Sequence, residues 1–97
     1  MKPVSLLAEA EEEVAEAAAF YESCATGLGR AFTNEVAKAF RSIASRPRAA
    51  PAVRGQVRRR LVARFPYAVL FRDDPDEIVV LADMHGHRRP GYWKDRL

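Results

Sequence analysis

The stretch Arg54 to Phe71, RGQVRRRLVARFPYAVLF, sets the terms on which the rest of the chain can fold. A strand sends successive side chains to opposite faces, and this run alternates accordingly. Val57, Leu61, Ala63 and Phe65 fall on one side, and Arg58, Arg60, Val62 and Arg64 on the other. Such a pattern suits a half-buried strand with a greasy face and a cationic one. Arg59 conflicts with it, because strict alternation aims it at the apolar face; it has to reach the edge, find an acidic partner or sit at a bulge. After Pro66 the chain reverses into Tyr67-Ala68-Val69-Leu70-Phe71, apolar on both faces as in a central strand covered on both sides. A sheet is expected here, with an arginine-lined surface beside its first strand.

Charge is distributed unevenly around that strand. Residues 1–40 hold three Lys or Arg against seven Glu, a balance of −4, whereas residues 41–97 hold thirteen against six acids, a balance of +7. Arg41 to Arg72 contains nine arginines and no acid. A field of that kind attracts a polyanion or an acidic protein, with an attraction that weakens in salt; the bland alternative is a solvated basic face. At 48% hydrophobic and 30% charged residues, the 97-residue chain has the composition of one folded domain spanning 1–97 rather than of a disordered one. The lone Cys24 makes no internal disulfide and reads as a small core residue; no apolar run reaches membrane-span length, and Met1 to Leu7 has no signal-peptide pattern. A cytoplasmic protein without membrane contact is expected.

Read in order, Pro3 to Leu7 suits a short edge strand, since Pro3 donates no backbone hydrogen bond. Glu9, Glu11, Glu12 and Glu13 suit a helix amino terminus with a solvated outer face, and Ala10, Val14, Ala17, Ala18 and Tyr21 recur at helical spacing to an end near Cys24. The turn Thr26-Gly27-Leu28-Gly29 lacks the third glycine or the lysine of a phosphate loop. Leu28, Phe32, Val36, Phe40 and Ile43 predict a second amphipathic helix that stops before Pro47. So short a turn makes the two helices antiparallel neighbours. Arg46 to Pro51 reads as a connector, Asp73 to Asp76 as a hairpin turn, and Ile78 to Met84 as a further apolar strand. The expected class is α+β: an N-terminal strand, a helical hairpin, then a three-stranded antiparallel meander with one face covered by the helices. The other face would present Arg58, Arg60 and Arg64.

Together, AEAEEEVAEAAAFYE, GLGRAF followed by EVAKAFRSI, RRRLVARFPYAVLF, IVVLADMHGHRRP and the closing YW resemble the RelE/ParE superfamily of bacterial type II toxins. The resemblance covers nearly the whole chain and implies the same fold. It also implies a plasmid-stabilisation type of toxin that inhibits growth, and a cognate antitoxin, expected as a partly disordered acidic segment laid across the basic sheet face and the helical hairpin. One branch of the family cuts messenger RNA on the ribosome; another poisons DNA gyrase. Nuclease members commonly carry an arginine after the tyrosine that opens the strand following the basic one, and here Tyr67 is followed by Ala68. Arg58 and Arg60 match basic phosphate-holding positions of that branch, Arg88 its arginine near the end of the last strand, and Tyr92 its terminal tyrosine. His85-Gly86-His87-Arg88 followed by Pro90 looks closer to the gyrase poisons. The resemblance therefore leans to a gyrase-type or undetermined target, with a ribosome-dependent endoribonuclease as the alternative and a non-toxic nucleic-acid-binding module as a third.

RNA cleavage would need a base for the 2′-hydroxyl, a cation for the phosphorane and an acid for the leaving oxygen. The candidates are His85, His87, Arg88 and Tyr92, with Arg58, Arg60 and Arg64 as phosphate- or partner-binding residues. Each histidine equally suits a structural place at a strand end, and the HxH pair has no placed third ligand, so neither a metal nor another cofactor is expected. Asp83 either joins His85 on one strand face or pairs with an arginine. Tyr92 and Trp93 either stack on bases or pack back onto the protein; for Trp93 packing is the stronger reading, because a terminal segment needs an anchor.

Overall fold

Apolar residues at helical spacing fold Ala8–Cys24 into helix α1 and Leu28–Ser45 into helix α2, in a computed structural model that describes residues Met1–Leu97. The remaining elements are strands β1 (Val4–Leu6), β2 (Ala52–Arg54), β3 (Val57–Leu61), β4 (Tyr67–Asp73) and β5 (Ile78–His85), with 3-10 turns at Pro47–Ala49 and Lys94–Arg96. Neither helix is long and apolar enough to cross a membrane.

The glycines between the helices serve the turn itself. Gly27 adopts φ 85°, a left-handed conformation that favours glycine, and α2 has no capping side chain of its own. Glu22 of α1 fills that role: its carboxylate accepts the N–H groups of Gly27 and Gly29, each at 3.0 Å. An anion from the chain thus already occupies this helix terminus. Gly29 also sets the helix spacing, because a β-carbon there would lie 2.6 Å from the carbonyl oxygen of Ala18.

The expected α+β class is found, with the helical hairpin on one face of the sheet. Five strands run in the order β1-β5-β4-β3-β2. Strand β1 lies parallel to β5, and the other pairs are antiparallel. Strand β2 falls just after the expected connector: its three residues are exposed, so no burial pattern announces them, and pairing with β3 alone makes them a strand. Between sheet and helices lies the larger core, centred on Phe32, Val36, Ile43, Val69, Phe71 and Val80. The rings of Tyr21, Phe32, Phe65 and Tyr67 meet edge-on or tilted at 4.8–5.3 Å for the closest pairs, a geometry that adds to their burial.

The arginine strand has the reverse orientation to that expected. Arg58 lies opposite Phe71 and Arg60 opposite Val69, so both share the helix side of the sheet, while Val57, Arg59 and Leu61 face away from the helices. Arg58 and Arg60 are only half-buried there. Arg58 ties down the connector, donating to the Ala50 carbonyl at 2.7 Å. The alternation carries Val62 into the helix-side core and then ends: Arg64 takes a left-handed backbone at φ 71°, and Phe65 turns in against Tyr21 and Phe32. Arg64 reaches Glu35 of α2 at 3.7 Å. Arg58, Arg60 and Arg64 therefore do not line the open face. Arg59 does, and its conflict with alternation disappears because that face has no helix over it.

Cys24 departs from its expected core position too. It is exposed, one turn beyond the exposed Phe20 on the outer side of α1. On the open face, Val57, Leu70, Val79, Leu81 and Ala82 pack under Trp93, which is buried as a terminal anchor should be. The remainder of that face is a shallow apolar groove in two lobes of about 300 and 350 Å³ that share Arg59 and Met84. Leu61, 67% exposed, stands in one lobe, and Arg54 and Lys94 flank the other.

Candidate functional site

A bulge in β5 decides which chemistry meets the helices. Leu70 pairs with Ala82 and Phe71 with Val80, which leaves Leu81 as an extra residue. Strict alternation from Val80 would turn Ala82 and Met84 towards α1; the bulge turns Asp83 and His85 there instead, opposite Val69 and Tyr67. This places Asp83 and His85 on one face.

The edge of β5 at this point has lost its strand partner, because β1 pairs only as far as Val80. Backbone groups at an uncovered edge need other partners. Side chains from distant parts of the chain supply them. The Asp83 N–H donates to Glu13 Oε1 at 3.1 Å, and Arg96 Nη1 donates to the Leu81 carbonyl at 3.1 Å. Arg96 also grips Glu13 with both terminal nitrogens, at 2.8 and 3.1 Å, and the Tyr92 hydroxyl donates to Glu13 Oε2 at 2.6 Å. Burial and this bond to Glu13 hold the Tyr92 hydroxyl well above the ordinary phenol range, and the same carboxylate raises the Arg96 guanidinium. Arg88 lies over the Tyr92 ring at 4.2 Å from its centre, with Arg96 at 5.0 Å.

A cleft of about 130 Å³ opens beside this network. Helix α1 contributes Glu13 and Glu16, the sheet Tyr67, Asp83 and His85, and the tail Arg88 and Tyr92. Asp83 is 2% exposed, and neither of its carboxylate oxygens has a hydrogen-bond partner. Burial, with the Glu13 charge adding to it, pushes its carboxyl up to about 7. His85 accepts the His87 backbone N–H on Nδ1 at 2.9 Å, which leaves Nε2 to carry the proton of the neutral ring. A buried acid that titrates near neutrality beside a histidine and two arginines can exchange protons and bind anions or cations.

Of the expected candidates, the fold brings His85, Arg88 and Tyr92 into this cleft. His87 stays exposed outside it, its ring 5.2 Å from that of His85. Arg58, Arg60 and Arg64 do not line it, and Ala68 is on the open face opposite Leu61. No set of three or more His, Cys, Asp or Glu side chains converges in a metal-binding arrangement. Sequence reasoning missed Glu13 and Arg96. Glu13 was one of four apparently solvated glutamates, yet it alone of them is half-buried. Arg96 has no sequence signal.

No family model and no curated protein matches the sequence. Among solved structures, a chain of the chromosomal ParDE TA system from P. aeruginosa matches 88% of this chain and 96% of its own length, with 17% sequence identity and a TM-score of 0.71. That identity speaks for the fold and leaves individual residues to be judged on their own geometry. The fold of this chain is thus the one found in a ParDE-system chain, as its resemblance to RelE/ParE toxins implies.

Proposed function

We propose that this chain is the toxin component of a bacterial type II toxin–antitoxin system, acting in the cytoplasm on DNA gyrase and neutralised by a cognate antitoxin. The fold shared with a ParDE-system chain carries this reading. Two features favour a gyrase poison over a ribosome-dependent nuclease. Ala68 offers no cation for a phosphorane, and the hydroxyl of Tyr92 is committed to Glu13 rather than free to take a proton. The antitoxin occupies the apolar groove on the open face, where Arg54, Arg59 and Lys94 favour an acidic amphipathic segment. Arg58, Arg60 and Arg64 contribute long-range attraction from the helix-side margin.

Purified protein should be tested with gyrase and DNA, and separately with translating ribosomes and messenger RNA. Accumulation of gyrase-linked DNA breaks with intact messenger RNA is the expected outcome. Ribosomal cuts without a gyrase effect would overturn the assigned target.

A further inference from the structure

We infer that the exposed face of α2, together with Arg64, is a docking surface for the phosphate backbone of duplex DNA. Arg30, Asn34, Lys38 and Arg41 are all exposed, and at 3.6 residues per turn they fall within about 80° of one another around the helix. Along its axis they span about 16 Å. Glu35, the only acid of α2, is buried at the margin of this face. It lies 3.5 Å from Lys38 Nζ and 3.7 Å from Arg64 Nη1, whose side chains nevertheless stay 63% and 66% exposed. The carboxylate thus holds two cations side by side without withdrawing them from solvent. Arg30 and Arg41 make no ion pair at all.

A second observation comes from the backbone. Arg64 has φ 71°, a conformation that residues with a β-carbon rarely adopt, and strain of this kind collects at binding sites. Its side chain lines a polar cleft of about 340 Å³ against α2, in company with Asn34, Lys38 and Arg41. Three properties then identify the occupant. Between Arg30 and Arg41 no large apolar side chain is exposed, whereas a protein interface is centred on aromatic or aliphatic anchors. No exposed aromatic ring stands there to stack on the bases of a single strand. The major groove of B-DNA, about 12 Å wide, admits a helical ridge between its phosphate walls, and the deep, narrow major groove of duplex RNA does not. The surface is separate from the open-face groove, and the inference holds whatever the target of the chain.

The test is fluorescence anisotropy of a labelled, mixed-sequence DNA duplex of about 20 base pairs, titrated with the full chain at about 50 and 200 mM salt. Four cations engaging phosphates predict that log affinity falls with log salt at a slope of about −3.6, a weakening on the order of a hundredfold over that range. Arg30→Gln with Arg41→Gln leaves both partners of Glu35 in place and removes only exposed charges, so the variant should fold, which circular dichroism verifies. It should bind at least about tenfold more weakly at the lower salt and make the slope shallower by about 1.8. Arg54→Gln with Arg89→Gln removes the same charge from exposed positions elsewhere and should weaken binding by less than about threefold. Equal losses in the two pairs, a slope unchanged by the α2 pair, or no saturable binding at the lower salt would each overturn the proposal. So would binding of the same-length RNA duplex or single strand as tightly as the DNA. Displacement of the DNA by poly-glutamate at equal charge concentration would overturn it in favour of an acidic protein.

Discussion

The two faces of the sheet obey different rules. On the helix side, Phe32, Ile43, Val69 and Phe71 fill a continuous core, and the polar groups at its margin are wired into the chain by Glu13, Arg96 and Tyr92. On the open side a single tryptophan covers part of the sheet, and Leu61 and Met84 line an uncapped groove. The first face is closed by the chain itself, and the second keeps apolar surface uncovered. Leaving apolar surface exposed costs solubility, so a surface of this kind signals interaction.

The sharpest way to break that contrast is to truncate one residue from each face. Phe32→Ala, at 0% exposure, should destabilise by about 3–5 kcal/mol in urea unfolding, whereas Leu61→Ala, at 67% exposure, should stay within about 0.5 kcal/mol. Comparable losses at the two sites would abolish the distinction.

Asp83 is the exception within the stable face, and pH exposes it. Its carboxyl is raised from about 3.8 unfolded to about 7 folded, so the folded state holds the extra proton between these values. Stability contributed by this group is full below the lower value and is lost as pH rises towards and through 7. Asp83→Asn should therefore flatten the decline in stability over that window. It should also stabilise the protein at pH 8 by a few kcal/mol, because each tenfold change in proton affinity between the two states is worth about 1.4 kcal/mol. A wild-type profile that rises over the same window would contradict this assignment.

A smaller loss is expected where the margin is wired. Arg96→Gln removes both charge-assisted bonds to Glu13 and should cost about 1–3 kcal/mol, measured by thermal unfolding at neutral pH. An unaffected midpoint would mean that the tail contributes through Trp93 alone. The smallest stability effects belong to the partner surface. Leu61→Glu with Arg59→Glu should leave folding within about 1 kcal/mol while weakening antitoxin binding more than the Arg58, Arg60 and Arg64 reversals do. The opposite ranking in calorimetric titration would return the docking site to the helix-side margin.

Helices, turns and central strands were legible because they follow local rules: i+3 and i+4 spacing in α2, breakers at Gly27 and Pro47, and an apolar run in β4. Which face the arginines take was not, since alternation separates two faces without saying which one a helix covers. Aliphatic arginine stems lie at the margin of a helix-covered face as readily as on an open one. The cleft was legible only in part. His85, Arg88 and Tyr92 stand in a chemically rich tail, but the bulge at Leu81 that aligns Asp83 with His85 has no residue signature, and Glu13 meets Arg96 across 83 positions of sequence.

The central claim, that this fold serves as a toxin restrained by a partner, is tested most directly by growth. Induced expression of the chain in a bacterial host should arrest growth, and co-expression of an acidic partner encoded in the neighbouring reading frame should restore it. Undiminished growth with the folded protein verified in the cells would contradict the account.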